Sequence, residues 1–431
     1  MLALVAHGLG GRTDLPLPTW MFSYGAGAAL VLSFVALGAL WRQPLLTAAA
    51  RGRSLPGALQ AVARPGFLLT RAFGLLAFAV TLAAAIWGPD SAANFAPVTL
   101  CIVFWVGLFL VSPLLGDVFW AINPFDTIAR VTGAPIATTR RDPGRWTAAV
   151  LLFSFVWLEL AYYDGCSDPR AVAVWLLWYS LAVTLGAHYW GRRWLRHGEG
   201  FAAVFGLVAA IAPIHRDDEG HLRVRAPLAG LAAVDSAPGT PALVLVALGS
   251  TTFDGFTRTE LWDDVIGTRT TWDYTIVTTI GLAWIIAVVA LAYYAAVHVA
   301  SRALDRTLAD TADSFVASLV PIVLAYTIAH YFSLLLFEGQ LFLALVSDPL
   351  GRGWDLFGSF DRTIDYSLLS YRAISYVQVV AIVVGHIAGV AAAHDRAIEI
   401  APRSRATASQ YPLLAVMVLY TIGGLTILLQ S

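Results

Sequence analysis

Residues 314–340 read SFVASLVPIVLAYTIAHYFSLLLFEGQ, and this stretch sets the class of the fold. Its apolar run is long enough to cross a hydrocarbon core of ~30 Å as a helix. His330 then falls about 10 Å below the outer end of the span, at ~1.5 Å of rise per residue. A titratable group at that depth is costly unless protein groups pair with it. Thr327, one turn before, and Ser333, almost one turn after, extend a polar stripe that should face the bundle interior. Pro321, one turn into the helix, takes the usual donor from the Ala317 carbonyl and predicts a kink. Glu338 lies on the row of His330 two turns on, at the membrane edge.

Outward from this span the whole chain reads the same way. Of its 431 residues 58% are apolar and 13% charged, against about 25% charged in an ordinary soluble protein. The expected fold is an all-α integral membrane bundle in one domain. Ten spans are expected near 20–41, 67–88, 94–115, 146–163, 171–190, 240–256, 274–298, 314–337, 367–393 and 411–429. The apolar run in 199–214, GEGFAAVFGLVAAIAP, reaches only ~20 Å as a helix, so it is expected to lie on the cytoplasmic interface. The stretch PLLGDVFWAINPFDTIAR after the third span reads as a second interfacial helix, broken at Asn123-Pro124. The outer loop 338–366 is expected to fold over the outer mouth.

Arginine supplies all 27 basic residues, and its distribution orients the bundle. The loops 42–66, 116–145, 191–239, 299–313 and 394–410 hold 19 arginines, and the opposite segments hold six, Arg258 among them. By the positive-inside bias the first set is cytoplasmic and both termini are extracytoplasmic. The lipid bilayer is thus the first partner, and the expected location is a bacterial cytoplasmic membrane. A formal net charge of −1 excludes nucleic acid, which requires clustered excess cation. The N-terminal MLALVAHGLGGRTDLPLP resembles the end of a secretory signal at Leu4-Val5-Ala6, but it lacks a basic n-region. A translocated tail is the plainer expectation, a truncated signal the alternative. Two cysteines, Cys101 and Cys166, are too few for a disulfide framework and lack metal spacing. Both fall near the outer face, where a single bridge between them is left open.

Chemistry rests on the polar groups placed at membrane depth. LGSTTFDGF, 248–256, ends an unusually short span in hydroxyls, an acid and glycines. Such a composition suits backbone that unwinds beside a wet cavity, with Thr251, Thr252 and Asp254 as ligands for a cation or water. A plain helix cap is the competing reading. His330, Asp254 and Glu338 are the expected catalytic groups, with Asp254 the direct partner of His330. His330, Asp254 and Glu159 are the candidate ligands of a divalent transition metal. His386, Asp313 and His298 would continue a polar path to the inner face, while Arg372 would neutralise Glu338 or clamp an anionic group. For each of these the competing reading is structural: a hydrogen-bonded core histidine, a snorkelling acid, an interfacial anchor. The chain has no HExxH, Walker, GxSxG or CxxC motif, which disfavours ATP-driven transport and nucleophile-elbow hydrolysis.

The ordered set AHGLGGRTDLPLP, NPFDTIAR, HLRVRAPLAGLAAV, LGSTTFDGF, AHYFSLLLFEGQ and GHIAGVAAAHDRAI resembles a family of actinobacterial polytopic membrane proteins labelled fenitrothion hydrolase. The resemblance spans nearly the whole chain. It implies hydrolysis of a lipophilic organophosphorus ester by a membrane enzyme and carries no catalytic residue with it. Beside that hydrolase expectation stand a secondary transporter of an ion or small solute and a scaffold subunit without a site.

Overall fold

The computed structural model describes residues 19–217, 219–235 and 237–430; the signal-like stretch at the N-terminus lies outside them. Among the described residues eleven helices reach ten residues. In chain order they are α1 (Thr19–Leu40), α2 (Gly57–Trp87), α3 (Trp105–Leu115), α4 (Trp146–Leu160), α5 (Pro169–Trp190), α6 (Gly200–Ala209), α7 (Thr240–Phe256), α8 (Thr271–Leu304), α9 (Val320–Phe337), α10 (Tyr371–Ile400) and α11 (Arg403–Gln430). Eight stretches are long and apolar enough to cross a membrane; α4, α6 and α7 are the shorter ones. The chain is therefore an all-α, multi-pass membrane protein. The arginine-rich end of the bundle is termed inner, the opposite end outer.

α8 shows how the sequence divides each helix. Leu282, Ile285, Val289, Tyr293 and Ala296 recur at steps of three and four and are buried. Ile280, Trp284, Val288 and Leu291 fill the other face and are exposed. An apolar outward face is what a lipid solvent selects, since only the inward stripe needs a protein partner. α9 is enclosed far more completely, by α10, α7 and α3. Its contact with α10 depends on small residues. A Cβ at Gly385 would meet the Ala325 side chain and come within 2.7 Å of the Pro321 carbonyl, and one at Gly389 would lie 2.8 Å from the Ser318 carbonyl. Close backbone approach of this kind is how helices associate where lipid removes the hydrophobic drive. Pro321 stands in the first turn of α9, after a 3-10 segment at Val316–Leu319. The break expected from the proline is a change of helix type at its start.

Three expectations are corrected. α7 is helical throughout Thr240–Phe256 and does not unwind. Its hydroxyls turn back on their own helix, Ser250 and Thr251 to the Ala247 carbonyl and Thr252 to that of Leu248. The glycines serve packing instead: a Cβ at Gly249 would lie 2.8 Å from Ile286 of α8.

Nor does 199–214 lie on a surface. Residues 191–198 rise from the inner end, and α6 descends again, so the two arms form a re-entrant hairpin. Its tip at Gly200 sits against Leu151, Leu152 and Tyr179, near the middles of α4 and α5. On its return the chain reaches the inner end of α3, where the Ile214 carbonyl approaches Gly116. Phe201 and Phe205 pack among Phe104, Trp105, Phe109 and Phe155. Glu199, fully buried, caps α6 by accepting from the N–H groups of Phe201 and Ala202 at 2.9 and 2.7 Å, and Tyr179 donates its hydroxyl to the same carboxylate.

The outer loop does not close over the mouth of the bundle at His330. Arg352 reaches the Trp87 carbonyl, Gly351 lies against Pro89, and Tyr366 stacks on Phe337. It covers the outer ends of α2 and α9.

A disulfide joins Cys101, in the π-helical turn leading into α3, to Cys166 between α4 and α5, at the outer end. At the inner end the two interfacial helices after α3 occur as Val118–Ile122 and Pro124–Val131, divided by Asn123, whose side chain caps the second. Asp126 of that helix is buried and pairs with Arg71 of α2 and with Arg130. Arg53–Ser54, Ile214–Arg216 and Leu222–Val224 add a small antiparallel sheet.

Candidate functional site

α7 and α9 pack side by side, and in their outer halves they bring together the two groups singled out first. His330 Nε2 lies 2.7 Å from Asp254 Oδ2. Both side chains are buried, at 4% and 5% exposure, so the pair has little water to replace either partner. Tyr331, the next residue on α9, donates its hydroxyl to the same Oδ2 at 2.6 Å. Arg258 completes the group, with Nη2 3.1 Å from His330 Nε2. One ring nitrogen carries a hydrogen or a lone pair, never both. With its hydrogen, Nε2 donates to Asp254; without it, the lone pair accepts from Arg258. The two partners thus correspond to two protonation states of one atom.

Glu159 of α4 faces the same group closely enough for its carboxylate and that of Asp254 to repel.

His330 and Arg258 also form part of the wall of a cavity of about 250 Å³ between α7, α9 and α11. Thr251, Thr252, Tyr326 and Tyr420 line it further, and Leu419, Gly423 and Ile427 of α11 make the remainder apolar. Leu419 is exposed on the outside of the bundle. The space therefore lies beside the lipid.

The other expected residues fall elsewhere. Glu338 turns away in a 3-10 turn after α9 and accepts from Tyr366 Oη at 3.1 Å. That turn breaks the straight row on which its alignment with His330 depended. Arg372 and His298 are exposed. Asp313 is half-buried at the inner end. His386 is fully buried in α10 between Tyr326 and Tyr420. His394 and Asp395 are structural: His394 meets Gln410 and the Trp41 carbonyl, and Asp395 accepts from Trp41 Nε1, Leu46 N and Thr47.

Of the expected metal ligands His330 and Asp254 meet, but with Glu159 they do not form a trio of ligand atoms within 4.8 Å. Among the described residues the one trio of such ligand atoms within 4.8 Å is Asp217, Glu219 and His221, on an inner hairpin. At His330 the guanidinium of Arg258 stands at the nitrogen a metal would use, and like charge disfavours a cation there.

Arg258 and Tyr331 escaped the sequence reading. The signal for Arg258 was present, since it follows Asp254 by only four residues, just past the end of α7. Tyr331 adjoins His330, but neighbours in sequence point about 100° apart on a helix, and only the position of α7 shows that both reach Asp254. No family model, curated protein or solved structure matches the chain.

Proposed function

We propose that the Asp254–His330 pair is the proton-binding site of a secondary carrier for a small lipophilic solute, which occupies the adjoining cavity. The observation that carries this reading is the double engagement of His330 Nε2 by Asp254 and Arg258. A proton gained or lost at that atom changes whether it holds Asp254 or Arg258, and bistable contacts of this kind couple occupancy to conformation. In a dye-monitored pH jump on protein in nanodiscs, Asp254→Asn and His330→Gln should each bind about one proton fewer than wild type. Unchanged stoichiometry would overturn the reading.

A second reading, hydrolysis of a lipophilic organophosphorus ester, is favoured by the cavity itself, where Arg258 offers a cation to a phosphoryl oxygen. Against it, Nε2 of His330 is already held by a carboxylate and a guanidinium. A triester with a nitrophenol leaving group separates the two: accumulation in acid-loaded proteoliposomes supports the carrier, release of nitrophenolate the enzyme.

The proposed topology has ten spans, with α4 and α7 crossing beside the eight longer stretches and both termini outside a bacterial cytoplasmic membrane. Support comes from the arginine distribution and from the disulfide, which sits at the arginine-poor end, where an oxidising compartment would preserve it. α4, at 15 residues, spans only ~22 Å and implies local thinning of the bilayer.

A further inference from the structure

Three cavities follow one another along α7 and α9. The inner one is lined by Thr240, Asp313 and Ser318, the middle one by Leu248, Ser318 and Tyr420, and the outer one by Thr251, His330 and Tyr420. Adjacent cavities share a residue, Ser318 for the first pair and Tyr420 for the second. The inner and middle ones hold about 50 Å³ each, enough for a water by the usual threshold of ~15 Å³. The middle one is walled mainly by Leu, Val, Ala and Met side chains, so water alone is a poor conductor there.

His386 lies behind Tyr420, whose ring lines that neck and separates the histidine from it. It is fully buried, and its Nδ1 lies 2.8 Å from the Ile382 carbonyl, one turn back. A carbonyl only accepts, so Nδ1 carries the hydrogen and Nε2 a lone pair. That Nε2 has no hydrogen-bond partner, an arrangement that costs stability wherever it serves no purpose. The titratable groups against the ring are Tyr326 of α9 at 5.7 Å and Tyr420 of α11 at 6.3 Å between ring centres. α1, also packed on α10, contains no charged residue. Both tyrosine rings line the cavity that holds His330, and Tyr420 lines the neck as well.

We infer that His386 is a relay that carries protons past the apolar neck between the inner cavity and the His330 site, with Tyr420 as the gate. With Tyr420 displaced, a proton from water binds Nε2 and makes the ring an imidazolium while Nδ1 keeps its bond to Ile382, and it leaves from the same nitrogen to water on the other side once the tyrosine has moved back from that side. No bond other than N–H and O–H forms or breaks. Tyr420 is held shut by its hydroxyl contact with Thr252 and by the Tyr326 hydroxyl on its own carbonyl.

The inference rests on the carrier reading for its purpose, but its test does not need a solute. In proteoliposomes loaded with pyranine and given a potassium diffusion potential, wild type should hold its pH and Tyr420→Ala should leak protons at least tenfold faster. His386→Leu in the Tyr420→Ala background should return the rate to that of wild type. Survival of the Cys101–Cys166 bridge and a monodisperse elution profile certify the fold of each variant, and Tyr420→Phe, which keeps the ring, is the milder alternative if Tyr420→Ala fails that check. A leak that persists with His386→Leu, or no leak in a folded gate variant, overturns the relay. Unchanged proton stoichiometry in Asp254→Asn and His330→Gln, with the leak of Tyr420→Ala still dependent on His386, would remove the carrier reading and leave the relay standing.

Discussion

The closest test of the site is the energy that Asp254 and His330 share. Asp254 Oδ2 receives two short contacts, from His330 at 2.7 Å and from the Tyr331 hydroxyl at 2.6 Å. A hydrogen bond to a charged group contributes about 1.5–3 kcal/mol, and removing one partner of a buried pair costs about 3–5 kcal/mol. Asp254→Ala should therefore destabilise the protein by about 4 kcal/mol and His330→Ala by about 3 kcal/mol. Because each single change already destroys the common contact, the double variant should fall short of the sum by about 2 kcal/mol. Tyr331→Phe, which keeps the pair, should cost about 1.5 kcal/mol. Glu338→Ala, half-buried with one contact at 3.1 Å, is the control, expected within about 0.5 kcal/mol of wild type. Equilibrium unfolding in mixed detergent micelles, followed by tryptophan fluorescence, measures all five. A double variant that equals the sum within about 0.5 kcal/mol would mean that the two residues act independently, and the site as described would not exist.

Three further outcomes are expected. Single cysteines introduced into a background lacking Cys101 and Cys166 should be shielded from an impermeant thiol reagent in whole cells at 219–225 and labelled at 267–270; the reverse pattern would invert the bundle. Gly385→Leu should drive a side chain into Ala325 and the Pro321 carbonyl and cost 3 kcal/mol or about that, whereas Gly255→Ala, whose Cβ would meet only Ile427 at 3.7 Å, should change thermal stability little. Cys101→Ser should lower stability by up to about 4 kcal/mol, from the 65-residue separation the bridge closes, and should abolish the mobility difference between reduced and unreduced protein on a gel.

The spans were legible because lipid imposes a length and a composition on any helix that crosses it, and one window of sequence contains both. The Asp254–His330 contact was legible too, since two costly groups at one depth each need a partner. What hydropathy could not register is company. Residues 199–214 are too short to span and too apolar to float, which suggested a surface; in the bundle the aromatic rings of α3, α4 and α5 replace the lipid. Arg258 reads in the sequence as one more outer-loop cation, because a charge tally ignores the turn after α7 that brings it to His330. The hydroxyls of LGSTTFDGF suggested unwinding, yet each has a carbonyl of its own helix within reach, which satisfies it locally.

The re-entrant hairpin also bears on how the chain is made. A ten-residue helix with a carboxylate at its tip has no stable place in lipid by itself, so a translocation channel has no reason to release it sideways as it does a full span. Its binding partners, the rings of Phe104, Trp105, Phe155 and Trp175 and the hydroxyl of Tyr179, all precede it in the order of synthesis. Every residue of the nest that holds Glu199 is synthesised before it. Insertion of this segment is consequently a folding step that waits on the association of α3, α4 and α5, and a nascent chain truncated after residue 214 carries everything needed to complete most of it.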